Sequence, residues 1–172
     1  MIVLRDLTVD DWVQWKEMRL AALAEAPYAF HTRIEDWLGA TEDRWRSRLE
    51  VPGRFLVADL DGRPAGIVIG LPPDQTGVAD LLSLWVAPFA RGRGVSDALV
   101  EAVLDTARAQ GAERVALHVV EGNEPASGLY RRHGFVDLGP VPGTAVDGRM
   151  EHRMERLLAS SVPLPAEPER DR

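Results

Sequence analysis

The sequence predicts an α+β fold, an α/β sandwich built on one mixed sheet, from three observations. Apolar runs typical of strands alternate with helical segments across residues 2–157. The pair Asp61 and Gly62 lies between two such runs and is typical of a two-residue β-hairpin turn. In the second half, helices separate successive strands, and such crossovers require parallel pairing. We therefore expect a mostly antiparallel sheet of about seven strands with about four helices.

The elements can be placed in chain order. We expect strands over residues 2–7, 54–60, 65–71, 78–86, 113–120, 136–138 and 149–157. Thr8 and Thr41 are suitable N-caps for two helices that end near residues 24 and 50. A third helix begins at Val95 and ends before Gly111, and a short fourth helix covers residues 126–133.

Length and composition indicate a single folded domain. The 172 residues carry a net charge of −7 and contain no cysteine. A negative charge disfavours nucleic acid as a partner, and the lack of thiols excludes disulfides and a cysteine nucleophile. We expect the domain to cover residues 1–158. A disordered tail is expected over residues 159–172, which are rich in proline and charge.

Several other classes of protein are disfavoured by the same reading. The four histidines lack the spacing of metal ligands, so we expect no metal site. The first residues lack the form of a signal peptide, and no apolar run approaches the ~18 residues that a membrane span requires. We therefore expect a cytoplasmic protein with no membrane partner.

A basic turn containing two glycines joins the strand that ends near Val86 to the helix that begins at Val95. It reads Arg91-Gly92-Arg93-Gly94-Val95-Ser96. Glycine lets the backbone approach a ligand closely, and the first turn of a helix presents unpaired N–H groups and a positive dipole end. The turn lacks the lysine of a P-loop and the third glycine of a dinucleotide fingerprint. It is nevertheless suited to binding phosphate.

This turn resembles the acetyl-CoA pyrophosphate loop of the GCN5-related N-acetyltransferase (GNAT) superfamily, whose pattern is [Q/R]-x-x-G-x-[G/A]. Arg91, Gly94 and Ser96 occupy its three defined positions, and Ser96 departs from the usual glycine or alanine. A second segment resembles the family pattern N-x-x-A-x-x-L-Y-x-x-x-G-F. Its matching residues are Asn123, Ala126, Leu129, Tyr130, Gly134 and Phe135.

The resemblance implies the GNAT fold, with the fourth and fifth strands splayed apart, and acetyl-CoA as the cofactor. It implies that the N–H groups of the turn residues Arg91, Gly92, Arg93, Gly94, Val95 and Ser96 hold the pyrophosphate. The backbone at Trp85 and Val86 would pair with the pantetheine arm. Asn123 would orient that arm or assist at the acyl group. Tyr130 would donate a proton to the departing thiolate.

The general base for the amine remains open at this stage. Asp80 lies six residues before Val86, where some family members carry a catalytic glutamate, and a bridging water would suit its shorter side chain. It could equally be a solvated carboxylate at a strand end. Glu35, Asp36 and His118 are competing candidates, although a lone histidine on an apolar strand is usually a core residue.

The acceptor is expected to bind near Phe30, Glu35 and Trp37, where aromatic side chains could shape a slot and a carboxylate could attract a cationic amine. Alternatively, the aromatics only attach this segment to the core. The resemblance implies acetyl transfer to a primary amine, and we expect a small-molecule acceptor. The alternatives are a protein N-terminal or peptide amine, or a non-catalytic acyl-CoA sensor. A homodimer is also compatible with the resemblance.

Overall fold

The computed structural model describes residues 1–145 and 147–159. The predicted tail over 159–172 lies outside the described residues, except for Ala159. Seven strands form one sheet in the order β1-β2-β3-β4-β5-β7-β6. The strands are β1 (Ile2–Asp6), β2 (Arg54–Leu60), β3 (Arg63–Leu71), β4 (Val78–Val86), β5 (Arg114–Val120), β6 (Val136–Pro140) and β7 (Glu151–Leu157). Every neighbouring pair is antiparallel except β4 and β5, which are parallel.

Helices cover both faces of this sheet. They are α1 (Trp12–Glu25), α2 (Glu35–Leu38), α3 (Glu42–Glu50), α4 (Val95–Ala109) and α5 (Glu124–Arg132). The single turn α2 lies in the segment 28–39, which has no clean hydrophobic period. Of the described helices, none has the length and apolar character needed to cross a membrane.

Local sequence signals explain most of these boundaries. Asp61 and Gly62 both have positive φ, 53° and 81°, as the tight hairpin between β2 and β3 requires. The Thr41 hydroxyl accepts the Arg44 N–H and begins α3. At Thr8, a 3-10 turn precedes α1, because the Asp11 carboxylate accepts the Thr8 N–H at 2.8 Å. The first helix therefore begins at Trp12, three residues later than a helix capped by Thr8 would begin.

The sheet separates two hydrophobic cores, which makes the molecule a three-layer sandwich. One core contains residues of α4 and α5, such as Leu99, Leu104 and Leu129, against one face of the sheet. The other contains Trp15 of α1 and Trp45 of α3 against the opposite face. The alternation of strand side chains between two faces supplies both cores at once. The predicted fold class is confirmed.

The parallel pair β4–β5 is short. Its register joins only Val78 to Arg114, Ala79 to Val115 and Asp80 to Ala116. Further along β4, the register with β3 shifts between Ile67 and Ile69, and Ser83 adopts a positive φ of 56°. Such a bulge bends and twists a strand locally. From Leu81 onwards β4 therefore pairs with β3 alone, and its other edge is open.

The contact between β3 and the start of α4 should be sensitive to a single methyl group. A Cβ at Gly66 would lie 2.9 Å from the Trp85 carbonyl oxygen and 3.1 Å from Leu99 Cδ1. Gly66→Ala should therefore lower the free energy of unfolding by about 1–3 kcal/mol, because a backbone carbonyl cannot move away cheaply.

The matched control is Gly128→Ala in α5, where a Cβ would meet nothing within 4 Å. It should stabilise the protein by about 0.5–1 kcal/mol through helix propensity. Thermal unfolding checks both variants, since about 1 kcal/mol corresponds to roughly 2–4 °C in Tm at this size. Equal melting temperatures for the two variants would contradict the packing described at Gly66.

Candidate active site

Two cavities lie along the open edge of β4. The first, of about 480 Å³, is lined by the β4 residues Asp80 to Leu84 and by Leu117 and His118 of β5. The second, of about 350 Å³, is lined by Leu84, Trp85 and Val86 and by the turn before α4. Ala29, Phe30, Leu84 and Tyr130 belong to the walls of both cavities. The two spaces therefore meet at these side chains.

The second cavity has the features of an anion-binding cradle. Gly92 and Gly94 have φ values of 71° and 83°, which bring the chain sharply from β4 into α4. Gly94 is the N-cap of this 15-residue helix, so the N–H groups of its first turn lack intrahelical acceptors. Gly92 and Ser96 line the cavity, whereas the Val95 side chain is buried in the core. Any contribution of Val95 to binding must come from its backbone.

The two arginines of the turn are already paired with carboxylates. Arg91 donates to Glu25 at 2.7 Å and to the Val86 carbonyl at 3.1 Å. Arg93 donates to Asp61 at 2.9 Å and does not line either cavity. Both carboxylate pairs hold the turn in shape. Arg91 still lines the second cavity, and the backbone N–H groups of the turn add further anion donors.

Glu25, the last residue of α1, ties this region together and was not anticipated from the sequence. Its carboxylate accepts both the Arg91 guanidinium and the indole Nε1 of Trp85, at 3.0 Å. These two hydrogen bonds hold the pKa of Glu25 below its ordinary value. No local motif signals this role, because its partners lie 60 and 66 residues away.

Asn123 and Tyr130 stand at the start and near the end of α5. The Asn123 Oδ1 caps the helix by accepting the Ala126 N–H at 3.4 Å, which leaves its amide N–H groups for the second cavity. Only 7% of the Tyr130 surface is exposed. Its ring packs against the Phe135 ring, with the two ring centroids 5.8 Å apart. Burial raises the pKa of the Tyr130 phenol, so the hydroxyl stays protonated.

The first cavity contains the leading candidate base. Asp80 is half-buried, and this burial raises the pKa of its carboxyl, with Asp74 adding to the effect and Arg153 and His118 opposing it. His118 shares the cavity and lies 3.1 Å from a Glu151 carboxylate oxygen. The interpretation of His118 as a core residue is wrong, since 39% of its side chain is exposed.

The segment 28–39 contributes only part of what was expected. Phe30 and Trp37 line the first cavity, and Trp37 packs against Trp45 with ring centroids 4.6 Å apart. Glu35 lies outside the cavity, where it is two-thirds exposed and 3.7 Å from Arg33. Asp36 is absent from the wall as well. Local sequence could not separate these neighbours, because a single helical turn points them in different directions.

Four further residues of this wall were missed by the sequence reading of function: Trp15, Arg19, Trp45 and Arg48. Both tryptophans are also buried in the core beside α1 and α3. Among residues 1–145 and 147–159, no three His, Asp or Glu side chains converge as metal ligands would.

Comparison with known proteins identifies the family to which this chain is similar. The sequence model described as "Acetyltransferase (GNAT) family" matches residues 12–135, more than half of the chain. A mycothiol acetyltransferase of Clavibacter michiganensis subsp. michiganensis is 35% identical over 137 residues, which are 79% of this chain and 43% of that protein. This chain thus spans less than half the length of that relative.

Solved structures share the fold over nearly the whole chain. A GCN5-related N-acetyltransferase from Kribbella flavida superposes with a TM-score of 0.72 at 28% identity, covering 91% of this chain and 98% of its own. A protein from Salmonella typhimurium, solved with its cofactor acetyl-CoA, has a TM-score of 0.75. It covers 96% of this chain and 99% of its own, and its 17% identity limits the likeness to the fold.

Proposed function

Because this chain belongs to the GNAT family of acetyltransferases, we propose that it moves an acetyl group from acetyl-CoA directly to a primary amine. One observation carries the proposal: a cavity with an anion cradle and a cavity with a candidate base meet at Tyr130. Two substrates held on either side of this junction would place a thioester next to an amine. Proximity of this kind supplies much of the rate enhancement in such reactions.

The second cavity fits the shape and chemistry of acetyl-CoA. Phosphate oxygens suit the N–H groups at the start of α4, and glycines at 92 and 94 leave no side chain between ligand and backbone. The open edge of β4 offers unpaired peptide groups to the amide-containing arm, as an added strand would use them. When bound, acetyl-CoA supplies an activated acyl group, so no covalent enzyme intermediate is needed.

The residues of this chain would orient the reactants and handle protons. Backbone N–H groups on the open edge of β4 can polarise the thioester carbonyl. The Tyr130 hydroxyl can donate a hydrogen bond to the leaving sulfur. The pKa of this phenol lies above the ordinary 10.0, whereas the pKa of a thiol is about 8.5. Because the phenol is the weaker acid, its main role would be to stabilise the thiolate by a hydrogen bond rather than to transfer its proton completely.

Asp80 would accept the amine proton, directly or through a water. A carboxylate whose pKa is raised by burial is a better base than an exposed one. His118 and Glu151 in the same cavity offer a second route for the proton.

A small-molecule amine is the acceptor that fits best. The first cavity holds about 480 Å³, and Phe30, His31, Thr32 and Trp37 form part of its wall, which suits a compact acceptor better than an extended peptide. The C. michiganensis relative is named for mycothiol, a small molecule, which supports the same class.

The cofactor assignment predicts a specific loss of acetyl-CoA binding. Gly94→Val should raise the Kd for acetyl-CoA at least about 10-fold, because valine is strained at φ +83° and displaces the N–H groups of the cradle. The control is Gly111→Val, at φ +74° beyond the other end of α4. It carries similar strain but lies away from the cavity, and its Kd should be unchanged. Calorimetry that gives both variants wild-type affinity would contradict the cradle.

The base assignment predicts a pH dependence. Asp80 acts when deprotonated, so kcat/KM should rise with pH through a pKa above its ordinary 3.8. Asp80→Asn should remove this limb and lower kcat by about 100-fold. Asp105→Asn, an exposed carboxylate of α4 paired with Arg108, is the control and should keep the wild-type profile. An Asp80→Asn profile with the limb intact would assign the base elsewhere.

A further inference from the structure

The wall of the first cavity holds hydrogen-bond donors that lack acceptors. Within the described residues, four buried side-chain nitrogens have no partner: Trp15 Nε1, Arg19 Nη1, Trp45 Nε1 and Arg114 Nε. The first three belong to residues that line this one cavity. An unpaired buried donor costs about 1–3 kcal/mol, and more when it is charged. Three of these four donors thus belong to residues of one cavity wall and have no acceptor within the described residues.

Within the described part of the chain, two arginines, Arg19 and Arg48, line this cavity without a carboxylate partner. Arg19 lies over the Phe30 ring at 4.7 Å and Arg48 over the Phe55 ring at 5.4 Å. Neither makes an ion pair or a hydrogen bond within residues 1–145 and 147–159. Burial, with a smaller contribution from Arg48, lowers the pKa of Arg19 to about 10, so it remains charged at neutral pH.

Other arginines of this protein do have carboxylate partners. Arg5 donates to Asp59 at 2.6 Å, Arg46 to Glu42 at 2.7 Å and Arg54 to Asp6 at 2.6 Å. Arg19 and Arg48 are partly buried in one cavity wall and have no such carboxylate partner among the described residues.

The two carboxylates of the cavity do not neutralise Arg19 and Arg48. Glu151 is engaged by His118 at 3.1 Å and lies 4.0 Å from His31. The charges that act on Asp80 are those of Arg153, Asp74 and His118. The cavity thus has an acidic end, suited to an amine, and a separate cationic wall.

We propose, on the basis of the proposed function, that the acceptor amine also carries an anionic group, a carboxylate or a phosphate, which binds Arg19 and Arg48. The planar fork of a guanidinium binds both groups through paired charge-assisted hydrogen bonds. The anion would supply the missing acceptor for Arg19 and the counter-charge for both arginines. The amine would then lie toward Asp80 and the junction at Tyr130.

The test compares amines that differ only in the anion. Thiol release from acetyl-CoA is measured with a panel of amino acids and their carboxamides, and with phosphoethanolamine and ethanolamine. The best acidic amine should exceed its neutral counterpart by about 10- to 100-fold in kcat/KM. A preference within the amino acid arm identifies a carboxylate, and one within the second arm identifies a phosphate.

Variants show whether the two arginines cause this preference. Arg19→Gln and Arg48→Gln should remove it mainly through KM, with unchanged acetyl-CoA binding and no loss of Tm, since each removes an unpaired charge. Arg48→Lys should restore part of it. The control is Arg63→Gln, which stacks on the exposed Phe89 at 3.8 Å and should keep the wild-type preference.

Three outcomes would overturn the proposal. Neutral amines that react as well as acidic ones would refute it while leaving acetyl transfer intact. The same holds if the arginine variants keep the preference. If no amine releases thiol and no acidic amine raises the Tm of the CoA-loaded protein, the anion site is refuted. If the wild-type protein does not bind acetyl-CoA, the proposed function itself is refuted instead.

Discussion

The short parallel pairing of β4 and β5 is the constraint on which the rest of the site depends. The two strands are joined over only three residue pairs and then separate, with a bulge at Ser83 in β4. Parallel strands point their carboxyl ends the same way, so α4, which follows β4, and α5, which follows β5, both begin at the opening. The cradle at Gly94 and the cap at Asn123 therefore lie at one place, as ligand sites commonly do at such points of a sheet.

The opening also determines how charges are distributed around it. On one side, Glu25 holds Arg91 and Trp85, so the turn before α4 is held in shape and its backbone faces the second cavity. On the other side, the wall of the first cavity has Asp80 at one end and the unpaired Arg19 and Arg48 elsewhere. Tyr130, buried between them, contacts both spaces. This division suits a reaction with two substrates of different charge.

Local patterns in the sequence predicted much of this structure. The Asp61–Gly62 hairpin, the Thr41 cap, and the spacing of the glycine turn and of Asn123 to Phe135 depend on residues close in the chain, and the family resemblance is confirmed. The wall of the first cavity depends on distant contacts instead. Glu25 binds partners 60 and 66 residues away in the chain. Arg19 and Arg48 are unusual only because no carboxylate of the described residues is folded next to them. The lack of a carboxylate near these two arginines depends on the folded structure, so local sequence patterns could not predict it.

Initial-velocity kinetics tests the central claim most directly, which is that both substrates occupy adjoining cavities at once. Rates of thiol release are measured while acetyl-CoA is varied at several fixed concentrations of the best amine. Direct transfer across the junction at Tyr130 predicts intersecting double-reciprocal lines, because both substrates must be bound before any product leaves. Parallel lines, with thiol released in the absence of amine, would indicate a covalent acyl-enzyme and would contradict the arrangement described here.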